Sequence, residues 1–254
     1  MKKENTIPIL EKAISLLTFL GATDNGASQS GIMKQTGISG ATCYRMIQTL
    51  TRYGWLKRNG DGHYDLSYGL LSAGKKLIKG AECFELMQKH LDSLSERTSL
   101  SSKLSVRRGF SEYVTMLRAE PSVPVSVSGK TGAVFPVIEG SVAGALLCNV
   151  EKDELVRLIK AAPDDIFEKK EPDLLYGRIA ECIKKGYCFS GKVNRRNIEV
   201  ISMPVFLKGE VFAAISLLGF PGDIEGRRKF MVAELNRTVR ECERNLKDEN
   251  NFKL

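Results

Sequence analysis

Long apolar runs are absent from the 254 residues; the longest, such as Val211–Leu218, fall far short of the roughly 18 residues needed to cross a bilayer. An apolar signal core is absent too, because Met1-Lys2-Lys3 is followed by Glu4, Glu11 and Lys12. The expectation is a cytoplasmic protein with no membrane partner. Histidine is scarce, with only His63 and His90, and none of the six cysteines (Cys43, Cys83, Cys148, Cys182, Cys188, Cys242) forms a C-x-x-C pair. Zinc sites need such residues clustered at short spacing, so no metal is expected and the cysteines read as small core residues. Neither G-x-x-x-x-G-K-[ST] nor G-x-G-x-x-G occurs, and no cofactor is expected. With no histidine beyond residue 90, a Ser-His or Cys-His nucleophile pair in the rear of the chain is excluded. The chain does not read as an enzyme.

What remains is an ordinary globular composition, 43% hydrophobic and 27% charged, long enough for one large domain or two ordinary ones. The net charge of +8 is unevenly spread. Residues 1 to 80 carry 11 Lys and Arg against 5 acids, whereas the rest carries 27 against 25. A basic front on a near-neutral body points to an anionic partner for the front, with nucleic acid first.

The order of elements in the front supports that partner. Pro8 to Leu20 has apolar residues at helical spacing, and Asp24-Asn25-Gly26 breaks it. Ser28 or Ser30 caps a short second helix through Gln35, and Gly37 supplies the turn. Ser39 then caps a third helix to about Tyr53, whose stripe of Cys43, Met46, Ile47 and Leu50 faces inward. Asn59-Gly60-Asp61-Gly62 joins two short strands, from Trp55 to Arg58 and from His63 to Leu66. Helix, short helix, turn, polar helix and basic hairpin make a winged helix-turn-helix. Its third helix suits a DNA major groove, offering Ser39, Gly40, Thr42, Tyr44, Arg45 and Gln48, while Lys57 and Arg58 of the wing suit phosphates. The other reading of the same residues is a sensor whose front domain docks a protein rather than DNA.

Behind it, Tyr68 to Arg97 reads as a helical connector broken near Gly74 or Gly80. Lys103–Arg107, Tyr113–Arg118 and Val123–Ser128 alternate like antiparallel strands. Helices are expected over 141–149, 152–161, 173–185 and 224–247, and a hairpin over Val200–Phe206 and Val211–Leu217. Gly140-Ser141-Val142 would open a helix whose free N–H groups suit a carboxylate. Lys192, Arg195 and Arg196 read either as an attractor for an anion or as plain surface charge. The arginines of the last helix interleave with acids and read as a solvated face.

The stretch from Gln29 to Gly74, with Gly37, Thr42, Arg45, Leu50, Gly54 and Tyr64-x-Leu66-x-x-Gly69, resembles the DNA-binding domain of the IclR (isocitrate lyase regulator) family of bacterial transcription factors. Pro136–Leu147 and Met203–Gly219 resemble later segments of that family. The resemblance implies an α+β chain in three parts: a winged helix-turn-helix over 1–78, a linker helix over 79–98, and a GAF-like effector-binding domain over 99–254 with a central, mainly antiparallel sheet. It implies a homodimer or homotetramer that binds double-stranded operator DNA and answers to a small organic acid or aromatic compound. Carried over by position, the effector pocket falls on Ser141, Val142, Ser190, Val200, Ser216 and Leu218. Members that bind oxo-acids have an acid, a cysteine and a second serine where this chain has Ser190, Val200 and Leu218. A more apolar pocket, a different ligand, or none, is implied. Two further departures are Gly40-Ala41, where members often carry a basic or polar pair, and Ala143-Gly144, where Gly-Lys is common.

Overall fold

The computed structural model describes residues 6–78, 81–127, 129–191 and 197–248, the side chains of 75–78, 81–83 and 247–248 aside. The chain divides into two compact units that part between residues 79 and 80.

The first unit is built from α1 (Pro8–Gly21), α2 (Gln29–Thr36), α3 (Gly40–Arg52), a hairpin of β1 (Leu56–Arg58) and β2 (Tyr64–Leu66), and α4 (Gly69–Ile78). Pro8 opens α1, where a missing N–H costs nothing. Ser28 caps α2 by accepting from Gly31 N–H at 3.2 Å. Gly37 ends α2 in the left-handed region, at φ 67°, which only glycine adopts freely. The core joins Leu16 and Leu20 of α1, Ile32 of α2, Cys43, Met46 and Ile47 of α3, and Leu56 of the hairpin. One apolar stripe from each element thus converges, and the remaining face of α3 is left outward.

The second unit carries a six-stranded sheet of order β5-β4-β3-β8-β7-β6 in which every pairing is antiparallel. Its strands are β3 (Ser101–Arg108), β4 (Glu112–Ala119), β5 (Val134–Pro136), β6 (Cys188–Ser190), β7 (Glu199–Leu207) and β8 (Glu210–Gly219). One face is covered by α5 (Ala81–Thr98) and α10 (Arg228–Asp248), the latter entered through a 3-10 turn at Glu225–Arg227. Met87, Leu91 and Leu94 of α5 and Met231, Leu235 and Val239 of α10 meet Leu104, Met203, Ile215 and Leu217 of the sheet there. The helix expected as a linker therefore contributes to the core of this unit. The other face meets α6 (Gly140–Leu146) and α9 (Pro172–Lys185), with α7 (Lys152–Ala161) and the single turn α8 (Phe167–Lys170) beside them.

Several expectations need correction. In the segment expected to be a strand, residues 123–125 form bends, 126 and 127 take no regular structure, and Ser128 lies outside the described residues. Pro121 and Pro124 remove the ladder donors that a strand needs there. The strand that pairs with β4 is instead Val134–Pro136. The expected connector is two helices; Gly74 lies inside the first, and the expected break at Gly80 is outside the described residues. The short elements β6 and α8 carry too few residues to show a period, and neither was expected.

Candidate functional site

Two places bring the expected site residues together, one in each unit. On α3 the buried stripe of Cys43, Met46 and Ile47 turns the other residues outward. Tyr44 is 52% exposed, and Ser39, Arg45 and Gln48 are exposed as well, with Gly40 and Thr42 half-buried. Ser39 holds the N-cap position, but its hydroxyl donates to Thr42 Oγ1 at 3.1 Å and caps no backbone N–H. Gln29 Nε2 donates to the Gly40 carbonyl at 3.4 Å and ties α2 to the start of α3. In the wing Lys57 and Arg58 are both exposed. Arg58 folds back over the turn, its Nε donating to Gly62 O at 3.4 Å and its guanidinium 5.8 Å from the Tyr64 ring. Arg52, two turns beyond Arg45, adds an exposed cation that the sequence reading passed over; its spacing from Arg45 was the available signal.

In the second unit a cavity of about 310 Å³ lies between the sheet and the α6 and α8 segments. All six residues carried over by resemblance line it: Ser141 and Val142 from α6, Ser190 from β6, Val200 from β7, and Ser216 and Leu218 from β8. Gly140 lines it too, and much of the remaining wall comes from residues that the sequence reading did not single out, among them Lys103 and Ser105 of β3, Tyr113 and Thr115 of β4, Phe135 of β5, Glu139 before α6, and Ile166 to Glu168. Strand alternation accounts for β3, where Lys103 and Ser105 share a face. β4 needs more. Leu104 pairs with Leu117 and Ser105 pairs with Thr115, so Met116 is an extra residue. That bulge turns Tyr113 and Thr115 to the cavity while Leu117 and Ala119 stay on the helix-covered face.

The polar groups of the cavity differ in how they are satisfied. Ser141 and Ser202 hydroxyls lie 3.0 Å apart and Ser202 and Ser216 2.8 Å apart, a buried chain of three. Thr115, only 1% exposed, has a hydroxyl with no hydrogen-bond partner among the described residues. The start of α6 departs from expectation. The Gly140 N–H is not free but donates to Glu168 Oε1 at 2.9 Å, and the same buried carboxylate is ion-paired with Arg178 of α9. A carboxylate of the protein itself therefore holds part of the place expected to receive one from a ligand.

Behind α6, Cys188 Sγ donates to the Ser141 carbonyl at 2.9 Å. Cys182 and Cys188 pack in one apolar cluster with the half-buried Cys148 against it. Donation of its S–H to Cys182, together with burial, pushes the Cys148 thiol up. Its bond with Cys148 favours the Cys182 thiolate, yet contact with Cys188 and burial raise that thiol to about 12. Protonated, buried thiols are small core groups rather than nucleophiles. The described residues hold no cluster fit for a metal and no helix long and apolar enough to cross a membrane. The basic loop residues Lys192, Arg195 and Arg196 lie outside the described residues.

Comparison with known proteins is consistent across both units. The family profile described as IclR helix-turn-helix domain matches residues 9–60, and that described as bacterial transcriptional regulator IclR C-terminal matches residues 75–247. The chain is 23% identical over 195 residues to the HTH-type transcriptional regulator KipR of Bacillus subtilis (strain 168), covering 75% of this chain and 78% of that one. Among solved structures it resembles an IclR transcriptional regulator from Alicyclobacillus acidocaldarius, with TM-score 0.72 and 19% identity over 95% of this chain and 99% of the other. It also resembles an IclR homologue from Microbacterium hydrocarbonoxydans complexed with 4-hydroxybenzoate, with TM-score 0.72 and 18% identity over 94% and 99% of the two chains.

Proposed function

The chain belongs to the IclR family of bacterial transcriptional regulators, with a helix-turn-helix DNA-binding domain and a C-terminal effector domain, and on that premise we propose which residues do the work. Ser39, Gly40, Thr42, Tyr44, Arg45 and Gln48 of α3 meet the major groove of operator DNA, and Lys57 and Arg58 meet its phosphates. The observation that carries this is the division of α3 into a buried apolar stripe and an exposed polar face with Arg45 at its centre. The domains run over 1–78 and 99–254, and the linker helix between them packs on the sheet of the second. Two copies address half-sites about one helical turn apart, as a homodimer or a pair of dimers in the cytoplasm.

The effector fills the cavity bordered by Ser141, Val142, Ser190, Val200, Ser216 and Leu218. Its volume, about 310 Å³, suits a one-ring compound such as the 4-hydroxybenzoate held by the Microbacterium homologue. Binding there shifts the balance between DNA-competent and incompetent forms, which requires different effector affinities in the two. The domain is read as working by binding, in keeping with a family of transcriptional regulators.

The test is a titration of the purified protein with the intergenic DNA upstream of its own gene across a salt series, with scrambled duplex as competitor. Affinity should fall by about 0.9 log unit per phosphate contact per decade of salt. Arg45→Ala should cost about 1–3 kcal/mol if the side chain makes a bidentate base contact. A flat salt response would instead indicate a domain that docks protein.

A further inference from the structure

We propose that the cavity takes a small apolar molecule bearing one anionic group, and that this group is held at the β3–β4 end by Lys103 and Thr115 instead of at the start of α6. This rests on the reading of the cavity as the effector site and assigns its polarity.

The two ends of the cavity differ in what they can still accept. At the α6 end Glu168 already receives the Gly140 N–H and is matched by Arg178, both residues being less than 9% exposed. An incoming anion would lie against this carboxylate, and like charges at such range are unfavourable. At the other end Thr115 holds a hydroxyl that is shielded from solvent and has no partner among the described residues. A buried donor in that state is unfavourable until something accepts from it. The strand next to it supplies Ser105, in register with Thr115, and Lys103 two residues before. Among the described residues lining the cavity, Lys103 carries the one cationic side chain. The lining also includes the apolar side chains of Phe135, Val142, Ile166 and Leu218. An acceptor-rich anionic head at β3–β4 and an apolar body towards α6 fit this distribution.

Gly129 fixes where the ammonium lies. A Cβ built on Gly129 would come within 2.3 Å of Lys103 Nζ, and the three atoms nearest to it all belong to the Lys103 side chain. Gly129→Ala therefore displaces a flexible terminus without disturbing the fold, and moves the cation off the anion's position.

The full-length protein is titrated calorimetrically with three probes of matched shape: benzoate, benzamide and benzamidine. Benzoate should bind about tenfold more tightly than benzamide, with benzamidine weakest, as expected for one charge-assisted contact. Lys103→Met should bring benzoate to the benzamide level while leaving benzamide unchanged, and Gly129→Ala should do the same in part. Thr115→Val should weaken benzoate severalfold, and Lys103→Arg should keep the preference. Equal binding of the three probes, or a benzoate preference that survives Lys103→Met, overturns the assignment while leaving the cavity as an effector site. Binding of none of the three overturns the effector reading and the anion subsite with it.

Discussion

The two faces of the C-terminal sheet are built from the same strands and treat polar groups in opposite ways. On the face covered by α5 and α10, Ser95 and Ser102 both bond to the backbone. Ser95 Oγ lies 2.8 Å from the Leu100 carbonyl and 3.0 Å from that of Ala119, and accepts from the Ser102 N–H at 3.1 Å. Ser102 Oγ donates to the Leu91 carbonyl at 3.0 Å. On the cavity face Thr115 is equally buried and its hydroxyl has no partner among the described residues. Burial alone is therefore no guide to whether a polar residue serves the fold. The serines of the helix face stabilise it; the threonine of the cavity face costs stability and keeps a donor in reserve.

The largest expected effect breaks the contrast between the ends of the cavity. Arg178→Met leaves the Glu168 carboxylate buried without its cation and should lower stability by about 3–5 kcal/mol in denaturant unfolding. The double variant with Glu168→Leu should recover most of that loss. A single variant as stable as the parent would show that the pair contributes nothing at the α6 end.

Next come the two faces themselves. Ser95→Ala strips partners from several backbone groups at once and should cost about 2 kcal/mol. Thr115→Val removes a hydroxyl with nothing to lose and should fall within about 0.5 kcal/mol of neutral, or stabilise. Equal losses from both would erase the distinction between the faces.

Much of this was legible in the sequence, and the limits have physical causes. The winged domain could be read because its functional residues sit on the exposed side of an amphipathic helix, where Cys43, Met46 and Ile47 fix the phase for Tyr44, Arg45 and Gln48. In the cavity, Ser216 and Leu218 were reached only through resemblance, while Lys103 and Ser105 follow from strand alternation once the sheet is known. Thr115 was out of reach. Regular alternation would place it with Leu117 on the helix-covered face, and only the bulge at Met116 turns it over. No residue in that stretch announces a bulge. The bond from Gly140 to Glu168 was hidden for another reason, since it joins groups 28 residues apart through a single helical turn that has no period to read.

The smallest effect probes whether the helix-covered face also satisfies a charge. Glu199, at the start of β7, is 4% exposed, and its Oε2 accepts from the Ile224 and Glu225 N–H groups at 2.8 and 3.0 Å. Burial works to raise its pKa, but the backbone donors of 222, 224 and 225 outweigh it and hold the carboxyl below its ordinary value of 4.5. A carboxyl whose pKa is lower in the folded state contributes stability above the unfolded-state value and loses it as pH falls through the folded one. Glu199→Gln should therefore be less stable than the parent near neutral pH, because an amide oxygen accepts less strongly than a carboxylate. The gap between them should narrow as the medium is acidified below about pH 5, when the parent's carboxylate takes up its proton. Melting temperatures of both proteins from pH 7 downwards test this. A gap that stays constant through the acid range would mean that the charge adds nothing, and that Glu199 is held on this face as a neutral capping group would be.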